Sequence, residues 1–225
     1  MGSEKTIKSN TEEIPYECNP IGIIRDLNEI SKKDKGRKFE MIDIKAFVKE
    51  NYPKIEELGL SVKTKENAVI NSMKKYPQEM LNDLDEDEII SFLFAAIEFS
   101  DAFAADFEGI EYADFLKIFQ RISNNELLFE DVVNHVAEET LQKGEGSSEV
   151  SFKCNGSTYN YTARYYYDWF DTKFLGYLNS ILEKNGIEKR LILFGDPNAT
   201  LITYQKPDFC QRLKVLFPML DATIA

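Results

Sequence analysis

The stretch ARYYYDWFDTKF, residues 163–174, sets three tyrosines, the chain's only tryptophan and two phenylalanines around Asp168 and Asp171. These types allow three kinds of chemistry. The rings of Tyr166 and Trp169 could cage a ligand or a peptide. Asp168 or Asp171 could work with Asp196 as an acid/base pair, which a hydrolase holds roughly 5–10 Å apart. The third use is structural: an aspartate between a strand and a helix caps free backbone N–H groups and meets the positive end of the helix dipole. The alternating aromatics would then be the corner of a core, and this is the reading the residues favour.

Other reactive sets are missing. His135 is the sole histidine, so no Ser-His-Asp, Cys-His or two-histidine metal arrangement forms within one chain. Cys18, Cys154 and Cys210 are widely spaced and never CxxC, which argues against a zinc site or a disulfide framework and for a reducing cytoplasm. Asp83-Leu84-Asp85-Glu86-Asp87 imitates a calcium loop, but Glu88 and Phe94 stand where its glycine and final glutamate belong. No glycine-rich phosphate loop occurs, and no cofactor or metal is expected.

Charge is the uneven feature. The whole chain carries a net −12, yet residues 79–146 alone hold 18 Asp/Glu against three Lys/Arg. Those acids alternate with large apolar groups, so the stretch folds. Repulsion among them opposes compaction unless a cation docks there. Without clustered Lys/Arg, nucleic acid is not an expected partner; the short basic run KKDKGRK, residues 32–38, suits intramolecular or partner contacts better. The expected partner surface is Asp83, Asp85, Glu86, Asp87, Glu98, Asp101, Glu108, Glu111 and Asp114, with Phe99, Phe103 or Tyr112 as apolar anchors.

The elements that must position these residues follow from periodicity and punctuation. Residues 1–15 are expected to be a frayed terminus. Helices are expected from Asn19-Pro20, from Asp43 to Pro53, from Thr64 to Tyr76, then over 86–107, 111–122 and 125–142. The 86–107 helix would be central, with Glu98, Asp101 and Glu108 along one side. His135 would then pair with Glu138 and Glu139 on the surface of the 125–142 helix. GEGSS, residues 144–148, marks a junction. Beyond it, Asn155-Gly156 turns a hairpin, a helix spans 171–185, Gly195-Asp196-Pro197-Asn198 turns a second hairpin, and Pro207 opens a last helix.

The expected fold is therefore α+β. An acidic helical region (16–143) precedes an α+β domain (148–225) with a four-stranded, largely antiparallel sheet in ββαββα order. The N-terminal residues hold no signal-like apolar run, and IISFLFAAI, residues 89–97, is too short for a membrane span. The start formally fits N-myristoylation, and Asn155, Asn160 and Asn198 fit glycosylation; cloning residues or chance explain the first, turns and strands the rest. In size, acidity and lack of a catalytic motif the chain resembles the class of bacterial immunity proteins, which neutralise cognate toxins such as cationic nucleases; no sequence signature carries the likeness. It implies a non-catalytic protein whose acidic face blocks a basic protein partner.

Overall fold

The structure, a computed structural model, describes residues 42–195 and 200–225. The expected terminus 1–15, the helix from Asn19-Pro20, KKDKGRK, Cys18 and the turn at Asp196-Pro197-Asn198 lie outside the described residues.

Four helices come first: α1 (Ile44–Glu57), α2 (Glu66–Met73), α3 (Gln78–Asn82) and α4 (Glu86–Ala95). Asp43 caps α1 as its type predicts, with Oδ1 accepting from the N–H groups of Lys45 and Ala46. Pro53 does not end this helix but lies inside it. Its missing N–H removes one bond, and burial of Tyr52, Ile55 and Leu58 carries the helix past it. At the start of α4, the Glu88 carboxylate accepts from Asp85 N–H at 2.8 Å and closes a capping box.

The helix expected over 86–107 stops at Ala95. Beyond it the backbone pairs with residues 61–64: Lys63 N donates to Glu98 O, Ser100 N donates to Ser61 O, and Glu98 N donates to Thr64 Oγ1. Phe99 turns inward against Phe94. These long-range bonds replace the local ones a longer helix would have made. Strand β1 (Ala102–Ala104) and helix α5 (Tyr112–Ile122) follow.

Asn124 and Asn125, both at positive φ, end α5 where a break was expected. The helix expected over 125–142 is instead strand β2 (Phe129–Val136) followed by the short α6 (Glu138–Lys143). Val132, Val133 and Val136 suit a strand, and β2 pairs with β3 (Glu145–Cys154), which runs through the supposed GEGSS junction. His135 accordingly lies opposite Glu149 on a strand, rather than beside Glu138 and Glu139 on a helix.

From β3 onward the expected ββαββα order is present: β4 (Ser157–Tyr166), α7 (Lys173–Lys184), β5 (Arg190–Gly195), β6 (Leu201–Gln205) and α8 (Asp208–Leu216), with a further strand β7 (Asp221–Ile224). Asn155 at φ 47 and Gly156 at φ 81 turn the first hairpin, the two positive angles a type I′ turn needs. The protein is α+β, with every strand pair antiparallel. The two hairpins belong to separate sheets, because each recruits a strand from earlier in the chain: β2 joins β3–β4, and β1 joins β6 in the order β1-β6-β5-β7.

The four-stranded sheet is buried on both faces. Ile192, Phe194 and Leu201 point into a core shared with α1–α4 and α8. Leu191, Ile202 and Tyr204 point the other way, into a core made with α5, α7 and the three-stranded sheet. Among the described residues no helix is long and apolar enough to cross a membrane.

Candidate functional site

The stretch 163–174 turns out to be both a structural corner and an exposed surface. Its buried half is held by Asp171. One carboxylate oxygen, Oδ2, accepts from Tyr161 OH and from Arg164 N–H, each at 2.9 Å; the other accepts from Lys173 N–H at 3.2 Å. Asp171 thus caps the start of α7 and plugs the free edge of β4, which would otherwise present an unpaired donor. Burial raises the Tyr161 hydroxyl above its ordinary value, and the Asp171 hydrogen bond and charge raise it further. Burial likewise pushes Tyr112 up to about 12. Phe170, between them, packs against Phe107, Tyr112, Phe115 and Phe174. An aspartate whose oxygens already serve three donors is a poor acid or base, and Asp196, its suggested partner, lies outside the described residues.

The exposed half is a four-residue turn, Tyr166–Trp169, closed by Trp169 N–H donating to Tyr166 O at 3.0 Å. Tyr167 sits at φ 50 in the first central position. Positive φ there and not at the next residue is the type II′ pattern, whose first central residue is ordinarily glycine. Among the described residues the other non-glycine positions at positive φ are asparagines and an aspartate, which tolerate it. A tyrosine does not, and it stays because the surroundings hold it. Tyr167 N donates to Gly144 O at 2.7 Å, Gly109 N donates to Asp168 O at 2.8 Å, and Phe170 N donates to Phe107 O at 2.8 Å. Gly144 is required here: a Cβ on it would come within 2.3 Å of the Tyr167 ring.

This turn leaves Tyr166 41%, Tyr167 61% and Trp169 53% exposed. The Arg164 guanidinium lies over the Tyr166 ring, 5.4 Å from its centre. Glu108 bridges to Trp169 through the backbone, and Glu111 stands at the N-cap position of α5, its side chain bonded to none of the helix N–H groups. Exposed Glu108, Glu111 and Asp168 form no ion pair with Lys or Arg among the described residues. Between α5 and the turn is a shallow cleft.

The nine acids expected as one surface fall into three groups. Asp83, Asp85, Glu86 and Asp87 cluster at the N-terminus of α4, facing the positive end of its dipole and unpaired with Lys or Arg among the described residues. Glu98 and Asp101 belong to the pairing with residues 61–64. Lys63 meets Glu98 at 2.9 Å, while Asp101 accepts from Ser61 N–H at 2.8 Å and Gln205 Nε2 at 3.0 Å. Glu108 and Glu111 reach the aromatic corner, with Asp114 one turn further on and bonded to Lys117 at 3.1 Å. The shared helix side expected for Glu98, Asp101 and Glu108 does not exist, because α4 ends before any of them.

Phe99, Phe103 and Tyr112, the suggested anchors, are buried. Exposed Tyr167, the turn geometry and Gly144 were not singled out from sequence; a positive φ at a tyrosine leaves no compositional trace. No group of three His, Cys, Asp or Glu side chains among the described residues is placed to hold a metal ion. Comparison of the chain with protein-family models, with curated proteins and with solved structures finds no match.

Proposed function

We propose that the chain is a non-catalytic cytoplasmic binding protein that holds a basic protein partner against the aromatic corner and its carboxylate rim. The observation that carries this reading is Tyr167: an exposed aromatic held in a backbone conformation that costs about 1–3 kcal/mol. Strain at an exposed side chain does nothing for stability, so it points to use of the surface that the strain creates. Tryptophan and tyrosine are the side chains that most often anchor protein interfaces, because they bury large rigid areas at low entropic cost.

The sign of the partner follows from the rim. Glu108, which bridges to Trp169, and Glu111 and Asp168, which line the cleft beside it, give this rim a negative field. Such a field speeds association with a cation-bearing protein and makes it sensitive to salt. A cognate toxin such as a cationic nuclease is the partner suggested by the likeness to immunity proteins. The cytoplasm is supported by widely spaced cysteines, of which Cys154 and Cys210 are free thiols.

The test is capture from the native cell on immobilised protein and on the Tyr166→Ala/Trp169→Ala variant, at low and high salt. A stoichiometric basic protein should bind the unaltered chain at low salt, leave at high salt and ignore the variant. Equal retention by both would move the interface elsewhere, and empty eluates at both salts would remove the partner.

A further inference from the structure

We infer that β7 pairs with the β7 strand of a second copy of this chain, joining two four-stranded sheets into one across a two-fold axis. The inference is independent of the partner reading and starts from how the sheet edges end. A free edge strand invites pairing with another chain unless something blocks it. Three of the four edges carry such a block. Strand β1 is only three residues long. Strand β2 shifts register between Glu130 and Val133, and Asp131 within the shift has φ 51. Strand β4 is plugged by Asp171, which accepts from Arg164 N–H, and by Tyr177 OH, which donates to Asn160 O.

Strand β7 has none of these devices. It holds no proline, lysine or bulge, its register against β5 runs unbroken from Asp221 to Ile224, and among the described residues no strand lies on its other side. Ala225 N donates to Leu191 O. Polar groups along an antiparallel strand face its two sides alternately, so those of Thr223 and Asp221 also face β5. The N–H and C=O groups of Ala222 and Ile224 therefore point away from the sheet. Apolar surface accompanies them: Ile224 is 44% exposed, and Val215 on the adjoining α8 is 69% exposed.

Charge and register select a second copy as the occupant. Lys214 meets Asp221 at 3.2 Å and Arg212 meets Asp208 at 3.6 Å, so the charges of α8 and β7 cancel. A basic partner finds no excess of acid here, and two copies meet here without opposing unpaired carboxylates. With the axis at Thr223, Ala222 lies opposite Ile224 of the second copy, and Ile224 opposite its Ala222. Both residues carry outward polar groups, so the pairing makes four backbone hydrogen bonds. Each Ile224 then covers an alanine on one face, and the two Thr223 side chains meet on the other, a favourable cross-strand pair. The two Asp221 carboxylates are held at opposite ends of the pair. Four bonds and two isoleucines make a small contact, at or below the roughly 1,200 Å² where stable interfaces begin, so association in the micromolar range is expected.

The experiment follows the mass of the full chain by sedimentation over a concentration series spanning the micromolar range. The mass should rise from one chain toward two. Ile224→Pro removes two of the four bonds while its outward N–H leaves β5 paired, so it should melt within a few degrees of the unaltered chain and associate at least tenfold more weakly. Thr223→Cys tests the register. Residues opposite each other in a non-hydrogen-bonded pair have Cα atoms about 4.5 Å apart, within reach of a disulfide. Mild oxidation should therefore link Thr223→Cys into a dimer, and should link neither the unaltered chain nor Glu183→Cys, an exposed position on α7. A single-chain mass throughout, association unchanged by Ile224→Pro, or linkage of Thr223→Cys no better than that of Glu183→Cys would overturn the inference.

Discussion

On one side of the four-stranded sheet, Phe94 is fully buried and packs edge-on against Phe194 and Phe217, with Phe99 completing the cluster. On the other side, ring contacts run from Phe152 through Phe174 to Phe170, all buried, while Tyr166, Tyr167 and Trp169 of the adjoining turn stand in solvent. The residue types are alike; the endings differ. The helical core closes on itself with apolar surface, whereas the second core ends at a turn that leaves three rings in solvent. A packed interior alone explains the first arrangement, but it does not explain the second.

Truncations should separate the two sides most sharply. Phe94→Ala empties a closed cluster and should cost roughly 3–5 kcal/mol in urea unfolding, whereas Trp169→Ala should cost less than about 1 kcal/mol, since half of that side chain is already in water. A Trp169→Ala loss as large as that of Phe94→Ala would make the corner part of the core and erase the distinction.

Asp171 marks where the second side changes from interior to surface. Asp171→Ala strands Tyr161 OH and two backbone donors and should cost about 2–3 kcal/mol, and Tyr161→Phe about 1 kcal/mol. Because both changes break one shared bond, the double variant should lose less than the two single losses combined. Strict additivity would mean that the Asp171–Tyr161 bond contributes little.

What could be read from the residues was mostly what neighbouring residues decide. Asn155-Gly156 carries its turn in its own φ preferences, Asp43 its cap in its own carboxylate, and 173–184 its helix in its apolar spacing. The misread segments were settled by partners far along the chain. Residues 97–100 leave the helix because residues 61–64 offer backbone bonds and a place for Phe99, and 129–136 is a strand because β3 lies beside it. The same limit applied to the site. Asp171 as a cap could be read locally, but the meeting of Glu108 with Trp169 required a bridge across some 60 residues, and no local pattern records that contact.

Alkaline titration tests the buried part of the corner. Tyr112 has its hydroxyl raised from 10.0 to about 12, mainly by burial, and Tyr161 is raised by burial and by Asp171. A group whose pKa is raised on folding contributes stability that is complete below its unfolded value and lost as pH climbs through its folded one. The melting temperature should therefore hold up to about pH 10 and fall between pH 10 and 12, and Tyr112→Phe should flatten part of that fall. Tyr52 and Tyr76 on the helical side are raised as well, so the change in slope on Tyr112→Phe, rather than the fall itself, assigns the effect to the corner.

The smallest expected change in stability separates the two sides most cleanly in function. Tyr167→Gly places at φ 50 the residue that accepts it without strain, relieving about 1–2 kcal/mol. Against this stand the lost packing of the ring on Gly144 and glycine's greater freedom in the unfolded chain, each of similar size and opposite sign. The melting temperature should hence move by no more than the equivalent of about 1 kcal/mol in either direction. Tyr167→Ala removes the same ring but keeps the strained angle, so it should be the less stable of the two by about 1 kcal/mol. Both should lose affinity for the basic partner alike, by tenfold or more if the ring is an interface anchor. A strongly destabilised Tyr167→Gly would show that the fold needs this ring, and full binding by that variant would show that the partner does not.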